Sequence, residues 1–435
     1  MPDFALLELD LCAYIYWAAK TPFHHTNVLD IGSQLIDPCT TSRETLRACS
    51  LVCRAWVDRC QFHLYHIVSL KTESGLSRFI QSLSWSPRRA RFVRHMQVGI
   101  PDSPDHEEFG RRWPVALAQR LPKLLYNLQS IHFQNYPSSP HPSTYRLLSY
   151  FKSITTLVLT GCKFEKFSGF ARLVQAFVNL TELQVRGISC LKHGPGNDAQ
   201  VLQTPQLKRS KLTSLTVYTN MASDLFFVDL CAWISGTPST NSLKSLTLTG
   251  TTSRFMKNNA SSLRALLEAV SSNLEFLEMG VSVGGSISPP VLPEESGDYF
   301  DFSSLNNLRE LRIAGLELNS FKTFLLPLLT SLPSDRLEKL LLGKIRCHSL
   351  PAVRSTEWKP VDECFSAKKF NNLQTVAFGL EILKDEDGDD DDGTVTMRKV
   401  FETVEERLPK LKSRGLIHKY PPLEFINWLG ERKIA

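Results

Sequence analysis

Residues 212–217 read LTSLTV, in which Leu212, Leu215 and Val217 form an apolar-x-x-apolar-x-apolar spacing that recurs along the chain. Ten copies of this spacing occur, and their first residues lie between 26 and 36 positions apart. The copies begin at Val93, Leu128, Ile154, Leu180, Leu212, Leu243, Leu274, Leu308, Leu337 and Leu373. One such unit cannot bury its apolar face alone, so neighbouring copies are expected to stack and to share a core.

The segments between the copies carry the spacing of amphipathic helices. Four sets of apolar residues are separated by three or four positions: Leu76, Phe79 and Leu83; Phe167, Phe170, Val174 and Phe177; Phe226, Leu230 and Trp233; and Leu263, Leu266 and Val270. This spacing places each set on one buried stripe. A regular alternation of strand and helix predicts an α/β fold with parallel strands and with helices on the outside.

The recurring pattern resembles the leucine-rich repeat, L-x-x-L-x-L-x-x-N/C. Cys162 and Asn220 occupy the last position of two copies, three residues after Leu159 and Val217. The resemblance implies that residues 71–435 form a right-handed leucine-rich-repeat-like α/β solenoid, or horseshoe, with a C-terminal cap and an acidic loop at 384–393. Ten strands about 4.8 Å apart would give a concave face roughly 43 Å long, which suits a protein or peptide partner.

The strand residues between the apolar pattern positions are expected to face that partner. Most of them are small or polar, as on any solvated sheet. Arginine and aromatic residues dominate the energetics of protein interfaces. The candidate target-binding residues are therefore Arg186, Tyr218, Phe276 and Arg312.

Residues 43–56, RETLRACSLVCRAW, precede the repeats and differ from them in pattern. They resemble the second half of an F-box, as found in fungal F-box proteins with leucine-rich-repeat-like C-terminal domains. The resemblance implies an F-box-like helical module at 27–70, preceded by an N-terminal segment at 1–26. It implies binding to a Skp-family adaptor, and through it to a cullin, by Leu35, Ile36, Leu46, Leu51, Val52 and Trp56. The chain would then be the substrate-recognition subunit of a cullin-type (SCF) ubiquitin ligase.

The start of this module departs from the family, because residues 29–38 read LDIGSQLIDP and lack the usual Leu-Pro-x-Glu. From the residues alone, 46–56 is predicted to be one helix, with Leu51 and Val52 off the apolar stripe of Leu46 and Trp56. That second apolar side contacts either an adaptor or the chain's own first repeat. The alternative function is a leucine-rich-repeat protein-binding scaffold, in which the F-box is degenerate and has no role in ubiquitin transfer.

Composition narrows the remaining functional classes. The chain has 435 residues and a net charge of +6, although seven acidic residues cluster between Asp385 and Asp392. Ten cysteines without paired spacing predict reduced thiols and an intracellular protein, cytoplasmic or nuclear. No run of 18 apolar residues occurs, so no membrane span is expected. Basic clusters lie in separate segments without regular aromatic residues, which argues against a nucleic-acid partner.

Motifs for catalysis and for metal binding are missing. Nucleophile-elbow, P-loop, dinucleotide-binding and zinc-protease spacings do not occur, so neither an enzyme nor a cofactor is predicted. Cys49, Cys53, Cys60, His63 and His66 suggest zinc ligands, but residues 62–70 are expected to form a strand, which would turn the two histidines to opposite faces. The acidic cluster fits no EF-hand register. No metal site is therefore expected.

Overall fold

The computed structural model describes residues 43–52, 54–99, 115–136, 141–192, 211–219, 223–251, 253–281, 302–321, 324–333, 335–347, 350–382, 397–419, 424–426 and 432–434. The N-terminal segment 1–26, Leu35, Ile36 and the acidic stretch 384–393 lie outside these ranges.

Helices alternate with strands along the described chain. The α-helices are α1 (Arg43–Val52), α2 (Arg54–His66), α3 (Glu73–Trp85), α4 (115–120), α5 (Pro142–Leu148), α6 (Phe167–Ala176), α7 (Asp224–Ser235), α8 (Ser253–Val270), α9 (Leu325–Ser331), α10 (Leu350–Ser355), α11 (Lys359–Phe365), α12 (Met397–Arg407) and α13 (Pro409–Ser413). Short 3₁₀ helices span Pro87–Phe92, Pro238–Asn241, Leu318–Phe321 and Lys368–Phe370. The four predicted helical stripes lie on α3, α6, α7 and α8, except that Phe177 is the C-cap residue directly after α6.

The strands are β1 (Ile67–Leu70), β2 (His95–Gly99), β3 (Ser130–Gln134), β4 (Thr156–Thr160), β5 (Lys163–Phe164), β6 (Glu182–Arg186), β7 (Ser189–Cys190), β8 (Ser214–Tyr218), β9 (Ser245–Thr251), β10 (Phe276–Val281), β11 (Glu310–Ala314), β12 (Lys339–Cys347), β13 (Thr375–Ile382), β14 (Ile417–Lys419), β15 (Glu424–Ile426) and β16 (Arg432–Ile434). Twelve of them form one sheet in the order β1-β2-β3-β4-β6-β8-β9-β10-β11-β12-β13-β14. Every neighbouring pair in this sheet is parallel. The predicted α/β class, with parallel strands and intervening helices, is confirmed.

Equivalent positions of successive pattern copies pair directly across the sheet. Leu183 is opposite Leu157 on one side and Leu215 on the other, and Leu246 follows Leu215. All three apolar positions of every copy are at most 3% exposed. They form one core with the buried faces of the helices. Because alternate strand residues point to opposite faces, the apolar spacing commits one whole face of the sheet to this core.

Left-handed residues follow several strands and keep the backbone ladder continuous. Asn135 and Gly161, with φ of 54° and 64°, come directly after β3 and β4. Their amides donate to the carbonyls of Thr160 and Arg186 on the next strands. A Cβ at Gly161 would lie 2.4 Å from Oδ1 of Asn135, so this position favours glycine for its conformation and for its space.

A row of asparagines links five of the repeats to the repeats before them. Five copies have asparagine directly before their first apolar residue: Asn127, Asn179, Asn273, Asn307 and Asn372. Each side-chain amide donates to a backbone carbonyl of the preceding repeat: Arg91, Lys152, Thr240, Ser272 and Asp335. Ser153 and Ser242 do the same through their hydroxyls, to Leu128 and Leu212. The stacking therefore depends on polar contacts between repeats as well as on the apolar core.

Asn179→Ala is expected to lower the free energy of unfolding by about 1 kcal/mol, because the carbonyl of Lys152 loses its 2.7 Å hydrogen bond from Nδ2. Urea unfolding followed by circular dichroism measures the change. Asn241→Ala is the control, because Asn241 is exposed in a 3₁₀ helix. Equal effects of the two substitutions would contradict a role for the asparagine row.

Charged residues also alternate in one row, just before β9 to β12. Lys244 Nζ lies 2.8 Å from Glu275 Oε1, and Arg309 Nη1 lies 3.7 Å from Glu338 Oε1. The hydrogen bond from Lys244 holds the pKa of Glu275 below its usual value, and the charges of Lys244 and Arg309 act in the same direction. The sequence of signs along the row is plus, minus, plus, minus.

Two local predictions differ from the structure. Residues 46–56 do not form one helix: α1 ends at Val52 and α2 begins at Arg54, and the boundary residue Cys53 lies outside the described ranges. Residues 62–70 are not all strand, because α2 continues to His66 before β1 begins. Near the end of the chain, α12 and α13 are separated at Leu408, where the following Pro409 lacks the N–H that a continuous helix needs.

Candidate protein-binding surfaces

The first candidate surface is the outward face of the sheet, formed by the strand residues between the pattern positions. Arg186 and Tyr218 are paired residues at the ends of β6 and β8. The guanidinium carbon of Arg186 lies 5.5 Å from the ring centroid of Tyr218. Parallel pairing without a shift in register brings these two predicted target-binding residues together.

The other two predicted target-binding residues form a second arginine–aromatic pair. Arg312 on β11 lies over Phe276 on β10, with 4.9 Å between the guanidinium carbon and the ring centroid. Phe276 is half-buried. Each pair joins neighbouring strands, and β9 lies between the two pairs, lined on this face by Ser245, Thr247 and Thr249.

The two pairs differ in net charge. Nε and Nη2 of Arg312 both lie 2.6 Å from Oε1 of Glu310, and Lys339 Nζ approaches Glu310 at 4.0 Å. Burial raises the pKa of the adjacent Glu278, although the charge of Arg312 opposes that shift. Within the described residues, no carboxylate lies within 4 Å of Arg186. The Phe276 end of the surface is therefore nearly neutral, and the Tyr218 end is positive.

A double-mutant cycle of Phe276→Leu and Arg312→Gln is expected to give a coupling energy of about 1 kcal/mol, because the ring and the guanidinium are in contact and partly desolvated. Urea unfolding of the four proteins measures it. The control cycle combines Phe276→Leu with Arg186→Gln, whose strands are not neighbours, and these effects should add. A coupling no larger than that of the control would contradict the contact.

Three histidines lie at the β1–β3 end of the sheet. The rings of His66 and His95 are 4.9 Å apart, and His132 Nε2 lies 3.0 Å from Thr160 Oγ1. His132 and Val158 were expected to face solvent, but each is only 5% exposed. Burial lowers the pKa of His132 to about 4. Burial, with the charges of His95, Arg94 and His63, lowers the pKa of His66 to about 4 as well.

The fold should therefore lose stability as the pH falls from about 6.5 towards 4, because the unfolded chain binds protons at these histidines more readily. A His66→Gln/His132→Gln variant is expected to lose about 2 kcal/mol less than the wild type over this range, after allowance for screening at the half-buried His66. Urea midpoints at pH 7.5 and 4.5 measure the difference. His418→Gln, at an exposed residue of β14, is the control and should lose as much stability as the wild type. If the His66→Gln/His132→Gln variant also loses as much stability as the wild type, these two histidines are not the cause.

The second candidate surface belongs to the helical pair α1–α2. Leu46, Cys49, Trp56 and Cys60 pack together as a small core separate from that of the sheet. Leu51 and Val52, at the end of α1, are 87% and 39% exposed. Leu46 and Trp56 are thus internal to the pair, whereas Leu51 and Val52 present adjacent apolar side chains to solvent. Leu35 and Ile36, the other predicted adaptor-binding residues, lie outside the described ranges.

The structure brings together arginines that the sequence did not connect. Arg89 lies over the ring of Tyr65, and Arg91 forms an ion pair with Asp58 on the same helix, α2. Arg59 and Arg89 are separated by α3 in sequence, so only the packing of α2 on the 3₁₀ helix Pro87–Phe92 reveals that they belong to one surface. Asp58, Phe62 and Tyr65 are four and three positions apart on α2. This helical spacing was the sequence signal that could have predicted a shared surface for arginine contacts.

The described residues also bear on the cysteines, on metal binding and on membrane spans. Among the described residues, six cysteine side chains are buried: Cys49, Cys60, Cys162, Cys190, Cys231 and Cys347. In the same part of the chain, no three His, Cys, Asp or Glu side chains are arranged to hold a metal ion. None of the helices there combines the length and the apolarity that a bilayer crossing requires.

Comparison with known proteins does not assign this chain to a family. No family model matches the chain. No curated protein matches it either. One similar solved structure is an octameric complex of Latrophilin 3 (Lec, Olf), Unc5D (Ig, Ig2, TSP1) and FLRT2 (LRR), with 13% identity, coverage of 68% of this chain and 78% of that chain, and a TM-score of 0.22. A likeness of this degree carries no argument about function.

Proposed function

We propose that the chain is the substrate-recognition subunit of a cullin-type ubiquitin ligase, in which α1–α2 is the described part of an F-box. The observation that carries the proposal is the exposure of Leu51 and Val52 on a helical pair that already has its own core. Exposed neighbouring aliphatic side chains are costly unless a partner covers them. A Skp-family adaptor is the partner that the F-box-like sequence 43–56 implies.

In this proposal, the twelve-stranded sheet with its helices is a right-handed leucine-rich-repeat-like solenoid that follows the F-box. Its support is the exact recurrence of the apolar pattern in register from β2 to β13. The outward face would be the concave side of the horseshoe. A target protein would lie across the Arg186–Tyr218 and Arg312–Phe276 pairs.

Ubiquitin transfer would then require no nucleophile on this chain. The adaptor and cullin would hold the ubiquitin-conjugating enzyme near a target that is bound to the sheet. Catalysis by positioning alone raises the local concentration of the reacting groups. The role assigned to this chain is to set the distance and orientation between target and enzyme.

Leu51→Asp/Val52→Asp is expected to weaken adaptor binding at least about a hundredfold, because each buried aliphatic side chain contributes roughly 1.5–3 kcal/mol. The measurement is co-expression of the full chain with the Skp-family adaptor, co-purification, and titration by calorimetry. Because both side chains are exposed in the free chain, the melting temperature should change little.

Leu225→Asp/Val228→Asp is the matched control, since these residues are 53% and 36% exposed on α7, away from α1–α2. The control variant should bind the adaptor as the wild type does. Failure of the folded wild type to bind the adaptor would reject the ligase proposal and would leave the protein-binding scaffold. Equal loss in both variants would show that the effect is not specific to α1.

A further inference from the structure

A second feature of the N-terminal end is a concentration of arginines on α2 and the 3₁₀ helix Pro87–Phe92. These two elements carry five arginines, which we call the arginine belt: Arg54, Arg59, Arg88, Arg89 and Arg91. Asp58 is the only acidic residue on either element, so their net charge is +4. The arginine belt contains no lysine.

Aromatic rings hold three of these guanidinium groups in place. Arg91 lies 4.5 Å from the centroid of Phe92, and Arg89 lies 5.4 Å from that of Tyr65. Arg59 lies 5.9 Å from that of Phe62. Stacking on a ring leaves the N–H edges of a guanidinium available and reduces the entropy that is lost when it binds a carboxylate.

Arg54, Arg88 and Arg89, three of the five arginines, have no carboxylate partner within the described chain. Asp58 Oδ2 pairs with Arg91 Nη2 at 2.9 Å. No described carboxylate lies within 4 Å of Arg54, Arg88 or Arg89, and the first two are exposed. Like charges held together weaken the folded state unless an anion offsets them. The geometry therefore points to an anionic ligand with several charges.

We propose that the arginine belt binds the acidic stretch 385–392 of a second copy of this chain. That stretch, DEDGDDDD, carries seven carboxylates in eight residues and is the densest negative charge in the sequence. Arginine forms paired hydrogen bonds with carboxylates, so the chemistry of the two segments is complementary.

The two segments belong to opposite ends of the strand order in the main sheet. The arginine belt leads into β1 and β2, and the acidic stretch follows β13. Between β2 and β13 the sheet has nine strand spacings, or roughly 43 Å at about 4.8 Å each.

The contact would thus join the β13 end of one molecule to the β1 end of another. Two different surfaces meet in such a contact, so it generates rings or open chains rather than a closed twofold dimer. Because its main component is electrostatic and exposed, it should weaken strongly with salt. This inference does not depend on adaptor binding, and neither experiment decides the other.

The first test uses a fluorescein-labelled peptide of residues 384–394, KDEDGDDDDGT, titrated with the full chain and followed by anisotropy. To free the arginine belt, the seven acidic residues of the titrated protein are replaced by asparagine or glutamine. We expect binding at 50 mM NaCl that weakens at least about tenfold at 300 mM NaCl. A peptide with the seven acids replaced in the same way should not bind.

Arg54→Gln/Arg88→Gln/Arg89→Gln should lower peptide affinity at least about tenfold, since three unpaired guanidinium groups are lost. Arg120→Gln/Arg146→Gln/Arg172→Gln removes the same charge from exposed positions on α4, α5 and α6 and is the matched control. Arg88→Gln alone, at an exposed residue, tests the same point if the triple variant does not fold. Equal affinities of the belt variant and the control variant would overturn the proposal.

Sedimentation velocity of the unmodified chain supplies the second test. Association should increase with protein concentration at 50 mM NaCl, and it should be lost at 300 mM NaCl and in the chain without the acidic residues. A wild type that stays monomeric at concentrations above the peptide dissociation constant would also overturn the proposal, because the segments would then not meet between copies.

Discussion

Parallel pairing without a register shift is the constraint on which the other features of this molecule depend. Each copy of the apolar pattern is opposite the same positions of its neighbours, as in Leu157–Leu183–Leu215. Shifts occur only beyond the pattern, between Met279 and Val281 and between Leu342 and Ile345. A shift of one residue inside the pattern would turn the apolar side chains of a strand towards solvent, and the shared core would be lost.

The same register determines which side chains meet at the other positions of the repeat. Asparagine before the first apolar residue always faces a carbonyl of the preceding repeat, so one residue type performs one task at each interface. On the outward face, register places Arg186 beside Tyr218 and aligns Glu278 with Arg312. The helical pair α1–α2 is different, since its small core is separate from that of the sheet and leaves Leu51 and Val52 uncovered.

The periodic strands of the fold could be predicted from the sequence, but the residues at which some helices and strands begin and end could not. Ten of the twelve strands in the main sheet correspond to the ten pattern copies, because burial on one face imposes the apolar spacing. The strand β1 begins at Ile67 and not at Phe62, because residues 62–66 continue α2, the helix that packs on the 3₁₀ helix Pro87–Phe92. The short strand β14 has too few residues to show a period.

The candidate surfaces were predictable only in part for a related reason. Alternation identified Arg186, Tyr218, Phe276 and Arg312 as outward residues, but not that they form two pairs of unequal charge. The partner of each residue depends on register across 26 to 36 residues of intervening chain. The burial of His132 and Val158 likewise has no local signal, because alternation predicts the direction of a side chain and not what covers it.

The alternating row Lys244, Glu275, Arg309 and Glu338 restricts how this chain can change its number of repeats. Loss of the single repeat that carries Glu275 would place Lys244 beside Arg309, and duplication of that repeat would place two glutamates side by side. Gain or loss of two adjacent repeats preserves the order of signs. During evolution, this part of the array should therefore grow or shrink by pairs of repeats more readily than by one.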